Sequence, residues 1–159
     1  NINQIEIDYN QNWNIKHLKS IKQSYAKAKN FEKIFPLIEN ILIKNWLSLA
    51  DLSYETTRCF FDILKIETKI LRTSELKPFY KQKSDLILEI CQYFNTSKYL
   101  SGPIGKNYLD EKKFRNNSIQ IEYHKFNHPF YNQTYKGFEE NMSIIDLIMN
   151  VDKPYKYLS

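Results

Sequence analysis

The plainest chemistry in the sequence lies in ten residues, Tyr99-Leu100-Ser101-Gly102-Pro103-Ile104-Gly105-Lys106-Asn107-Tyr108. The pattern predicts a strand, a tight glycine turn and then a helix over residues 107–115. Ligands of open α/β sheets bind outside the carboxyl ends of strands, and unsatisfied N–H groups at a helix start attract anions. Lys106 adds a full positive charge, and two of the chain's three glycines, Gly102 and Gly105, stand beside it. The chemistry this suits is phosphate binding. The spacing is not that of a Walker A loop, which needs four residues between its glycines and Ser or Thr after the Lys, and it is not GxGxxG. A structural turn between strand and helix is the competing reading.

The other reactive residue types are sparse. Of the three histidines, His124 and His128 are four apart, but the first ends a strand pattern and the second precedes Pro129, so no helix face presents both to a metal. No HExxH motif or cysteine cluster occurs, and no metal is expected. His128 can serve as an acid or base near neutral pH; its alternative is a loop histidine bonded to backbone. Asp110-Glu111 and Glu139-Glu140 are sequence neighbours that read as solvated pairs. Ser101 lacks the GxSxG elbow. Cys59 and Cys91 fall in apolar helical patterns and read as buried free thiols, which places the protein in a reducing, cytoplasmic compartment.

The elements that must carry these residues follow from hydrophobic period. Ile5 and Ile7 alternate with acids as in a short strand. Trp13, His17 or Leu18, Ile21 and Tyr25 recur at helical spacing with lysines opposite. Asn30 is the expected N-cap of a second helical segment, which Pro36 should break or restart. Ser48 or Asp51 should cap a long helix to about residue 64, and residues 69–72 read as a strand. Ser84 opens another helix, residues 97–100 and 119–124 read as strands, and Ser143 caps a short apolar helix. The fold class is thus α/β: a helical first half, then alternating strands and helices with a small, mainly parallel sheet. A single domain over residues 1–159 is expected, mainly helical over 1–68 and of βαβ type over 69–159.

Composition bounds the answer further. The 159 residues are 42% hydrophobic and 26% charged, enough for a core and too apolar for a disordered polyelectrolyte. No apolar run is long enough to span a membrane. The formal charge of +5 is local: residues 11–33 hold six lysines against Glu32, and the remainder balances. Such a stripe can meet phosphate, a membrane surface or nucleic acid, or can be a solvated helix face. Lysines outnumber arginines 20 to 3 and the aromatics follow core periods, so no nucleic acid partner is expected. The chain opens at Asn1 with no signal-peptide pattern and reads as a fragment of a longer frame.

The order of segments resembles the WbqC-like family, bacterial proteins associated with lipopolysaccharide O-antigen biosynthesis. The matching pieces are Ile5-Glu6-Ile7 with Asn12-Trp13 and Lys16-His17-Leu18; Phe31 with Phe35-Pro36-Leu37; and Ser74-Glu75-Leu76. They continue with Lys83-Ser84-Asp85-Leu86, Glu89-Ile90-Cys91, the Ser101-Gly102-Pro103 block and Lys106-Asn107-Tyr108-Leu109-Asp110. His128-Pro129-Phe130-Tyr131 with Gln133, and Met142-Ser143-Ile144-Ile145-Asp146-Leu147 with Asn150, complete the match. The family's N-terminal His-Gln-Pro segment has no counterpart, so the chain resembles the C-terminal two-thirds of a member. Ile104 stands where members often carry a second glycine, and Lys77-Pro78-Phe79-Tyr80-Lys81 replaces a more glycine-rich stretch.

The resemblance implies a transferase acting with a nucleotide-activated sugar, or an acyl or amino-acid donor, in surface-polysaccharide assembly. Ser101, Gly102, Gly105 and Lys106 would cradle the donor phosphate. Arg72 and Ser74, at the end of an adjacent strand, and Lys83, at its helix start, would complete the anion site. His128 would move the proton. The cofactor and the oligomeric state are left open. The alternative is a non-catalytic module docking on assembly enzymes through its lysine-rich helical face.

Overall fold

The computed structural model describes residues 2–157. The chain forms two compact units: one runs to Ile70 and resumes at His128, and the other is Leu71–Asn127.

The first unit is helical. Helix α1 (Trp13–Tyr25) buries Asn14, Leu18 and Ile21, which lie on one face at helical spacing. Helix α2 (Phe31–Leu42) buries Phe31, Ile34, Phe35 and Ile38. Helix α3 (Leu49–Leu64) starts under the Ser48 hydroxyl, which accepts the Ala50 N–H at 3.1 Å. Its end is turned by Lys65 in the left-handed region, with φ of 55°. Leu64 joins the α1 and α2 side chains in one core with Ile148 and Met149 of the C-terminal helix. Two buried or half-buried asparagines knit these helices. Asn14 donates Nδ2 to the Leu42 carbonyl at 3.2 Å. Asn30 donates Nδ2 to the carbonyls of Ile148 and Val151, at 3.2 and 2.8 Å, and its backbone N–H to Met149 O.

The second unit carries the sheet. Helix α4 (Lys83–Tyr93) leads to β1 (Lys98–Ser101); helix α5 (Glu111–Asn116) leads to β2 (Gln120–Tyr123). The strands are parallel, with Lys98 opposite Gln120 and Ser101 opposite Tyr123. Leu88, Cys91, Leu109, Phe114 and Ile119 form the core beneath them, Phe114 being wholly enclosed. Helix α6 (Ile144–Asn150), capped by Ser143 at Ile145 N, belongs to the first unit.

The mixed α/β class with a small parallel sheet holds, but helices dominate. Several local expectations are corrected. Residues 69–72 form no strand: among the described residues the sheet has two strands, and a 3₁₀ turn (Thr73–Glu75) follows Arg72. The Ile5–Ile7 alternation yields only an isolated antiparallel bridge of Glu6 with Ser48, because one bridge fixes so short a segment. Pro36 sits inside α2 without ending it. Proline removes one ladder bond, and the four buried side chains around it outweigh that loss. Asn30 stands at the N-cap position, but its side chain makes no cap bond because it is committed to α6. Cys91 is buried and Cys59 only half-buried.

Asn30 is therefore the polar tie between α2 and α6. Replacing it with alanine strands two carbonyl groups and should cost about 2 kcal/mol. A urea titration of Asn30→Ala checks this; an unchanged midpoint would show that water satisfies both carbonyls equally well.

Candidate functional site

In the second unit, β1 ends at Ser101, which is only 2% exposed. Gly102 continues in extended backbone, a 3₁₀ turn spans Pro103–Asn107, and Asp110 caps α5 by accepting the Lys113 N–H at 3.1 Å. The helix that the sequence placed at residues 107–115 thus begins at Glu111. Asp110 prefers to cap, and the turn consumes the residues before it. The start of α5 is held by an acid, so it offers no seat for an anion.

The turn is folded on itself. Gly105 N–H donates to Gly102 O at 3.0 Å, and the N–H groups of Tyr108 and Leu109 both reach Gly105 O. The Ser101 hydroxyl donates to the Gly102 carbonyl at 3.0 Å. A Cβ on Gly105 would fall 2.0 Å from Ser101 Oγ and 3.0 Å from Leu109 Cδ1, so only glycine fits there. Gly102 is different: a Cβ there would meet nothing within 4 Å.

What this turn presents outward is Lys106, whose ammonium lies 5.1 Å from the centre of the Tyr123 ring. Tyr123 closes β2 at the carboxyl edge of the parallel pair. Its hydroxyl donates to Glu111 Oε1 at 2.7 Å, and that bond pushes its pKa up to about 12. Beside it lies a cavity of about 360 Å³ walled by Glu111, Arg115, Ser118, Gln120 and Tyr123, among others. Arg115 forms no ion pair among the described residues. Neither Arg115 nor Tyr123 was singled out by the sequence. The available signal was the basic run from Lys112 to Arg115 just ahead of a strand with a wet face.

The remaining candidates are distributed. Arg72 and Ser74 flank or occupy the 3₁₀ turn, and Arg72 Nε is 3.8 Å from Glu75 Oε1 of that turn. They do not sit on an adjacent strand. Lys83 opens α4, exposed, with φ of 52°. Its neighbour Ser84 accepts the Asp110 N–H at 2.9 Å, and Asp85 binds Lys113 at 2.8 and 3.1 Å. The Lys113 ammonium thereby holds the Asp85 carboxyl below the usual carboxylate range. The start of α4 is thus fixed to the start of α5.

His128 belongs to the first unit, with its ring 5.7 Å from those of Tyr131 and Phe138. Next to it is a polar cluster that the sequence did not reveal. Asp146, 4% exposed, accepts the Tyr131 hydroxyl at 2.8 Å, Gln133 Nε2 at 3.0 Å and Asn150 Nδ2 at 3.3 Å. Gln133 in turn holds both the N–H and the C=O of Glu139. The carboxylate is satisfied by neutral donors, and it fastens the irregular stretch after His128 to α6. Burial, then the Asp146 charge, pushes Tyr25 up to about 12; burial and the Asp146 bond raise Tyr131 well above its ordinary 10. Among the described residues no three His, Cys, Asp or Glu side chains gather as a metal site, and no helix is long and apolar enough to cross a membrane.

Fold and site together define a helix-rich α/β protein with a closed glycine turn and a lysine at the carboxyl edge of two parallel strands. The chain belongs to the WbqC-like protein family, which it matches over residues 1–156. It is 26% identical over 141 residues to "Uncharacterized protein Rv1507c" of Mycobacterium tuberculosis, a stretch covering 87% of this chain and 61% of that relative. The chain thus spans about three-fifths of the length of the curated relative it matches. No solved structure matches it.

The raised tyrosines fix a pH dependence. The unfolded phenols ionise near pH 10, while Tyr25 keeps its proton to about pH 12 and Tyr131 is raised well above its ordinary value. The native state therefore binds more protons in that window, and stability should fall as pH rises through it. Urea midpoints at pH 9 and 11 should drop steeply for the parent chain and less for Tyr131→Phe. Equal slopes would remove Tyr131 from the linkage.

Proposed function

We propose that the second unit binds the phosphate of a nucleotide-activated donor and serves a transferase step of bacterial lipopolysaccharide O-antigen or surface-polysaccharide assembly. The observation that carries this reading is the Lys106 ammonium held over Tyr123 at the carboxyl edge of the parallel strands, with no carboxylate partner among the described residues. Ligands of parallel sheets approach from that edge. Arg115 on the wall of the adjacent cavity offers a forked donor suited to a phosphate. Of the turn residues, Lys106 supplies charge. Ser101 and Gly105, with their polar hydrogens engaged inside the turn, act by holding its shape. Arg72, Ser74 and Lys83 remain candidates for the donor's more distant groups; His128, a residue of the first unit, is a separate candidate for proton transfer and no part of this site. Family membership supports the pathway assignment, and the donor's identity is part of the proposal.

Calorimetric titration with a panel of nucleoside diphosphates tests this. Lys106→Ala should weaken binding more than tenfold, the loss expected for one charge-assisted contact. Binding that is unchanged in Lys106→Ala would remove the turn from the site.

A further inference from the structure

We propose that the exposed face of α1 docks on an anionic lipid surface. This lies in the first unit and does not depend on the donor site.

Lys16, Lys19 and Lys22 follow one another at i,i+3 along α1, all exposed. Like charges at that spacing repel and weaken a helix. A face that serves only solvation relieves the repulsion with interspersed acids, yet residues 11–31 contain none. Three lysines elsewhere are paired, Lys29 with Asp152, Lys98 with Glu122 and Lys113 with Asp85. Lys16, Lys19 and Lys22 form no ion pair among the described residues. What sets this face apart is that three such lysines stand side by side in a stretch without a single acid.

The choice of partner rests on Ile15. At about 100° per residue it projects between Lys19 and Lys22, and it is 57% exposed. An apolar tip among lysines gains nothing in water or against a phosphodiester backbone. At a bilayer surface it enters the headgroup region while the lysines reach the lipid phosphates along their flexible stems. The residue type agrees. Lysine is a compact charge suited to a diffuse anionic surface, whereas reading bases favours the forked arginine, which α1 lacks.

Each lysine brought to an anionic surface strengthens binding about fivefold, so three together supply about 100-fold. Co-sedimentation of the full chain with phosphatidylcholine vesicles containing roughly a third phosphatidylglycerol should show binding, lost at high salt and absent with phosphatidylcholine alone. The variant Lys16→Gln/Lys19→Gln/Lys22→Gln should bind about 100-fold less while melting at a higher temperature, its repulsion relieved. Ile15→Ser should bind vesicles several-fold less, with unchanged weak binding to heparin or duplex DNA. The proposal is overturned if the triple variant binds vesicles like the parent. It is equally overturned if heparin or DNA is held more tightly than vesicles with Ile15→Ser indifferent, which would make the face a polyanion site.

Discussion

The missing side chain at Gly105 is the constraint on which the second unit's edge depends. The backbone of the turn lies so close to β1 that a methyl group would overlap the Ser101 hydroxyl. That approach lets the turn close through its own N–H groups, buries Ser101 and Leu109, and delivers Lys106 to Tyr123. The turn is thus a rigid mount for one cation. A phosphate-cradling nest would need several amides pointing outward, whereas here three are spent inside the turn. On the reading proposed above, binding strength would come from side-chain charge and from the neighbouring cavity wall.

The first unit is organised around a buried charge. Asp146 would be costly in a helical core without partners. Tyr131, Gln133 and Asn150 satisfy it, and the irregular chain after His128 becomes ordered against α6 as a result. Four of the residues that carried the family resemblance in this stretch, Tyr131, Gln133, Asp146 and Asn150, meet in this cluster. The Ser84 and Asp110 pair does the same in the second unit. Many of the recognisable family residues are thus tertiary hydrogen-bond partners, so their presence speaks first to fold.

Legibility followed the range of the interaction. Helices α1, α3, α4 and α6 were readable because apolar period and a capping or opening residue such as Ser48 or Ser143 are local signals. Residues 69–72 form no strand, because two apolar residues between two charged ones become a strand only if a partner edge is available. Pro36 was misjudged because its local penalty is visible in sequence while the packing that offsets it is not. The turn from Ser101 to Lys106 was found from its glycines, but which glycine mattered was decided by a contact between Gly105 and Ser101. The Asp146 cluster and the Arg115 wall join residues far apart in the chain or across a strand, and no spacing rule announces them.

The closed turn is tested most directly by a double-mutant cycle between Gly105→Ala and Ser101→Gly, read as unfolding free energy. Gly105→Ala alone should destabilise by about 1–3 kcal/mol, the usual cost of overpacking. Ser101→Gly, which removes both Ser101 atoms that the new methyl would meet, should recover most of that loss in the double variant. Additive effects, or a Gly105→Ala chain as stable as the parent, would instead show an open turn in which Gly105 is free.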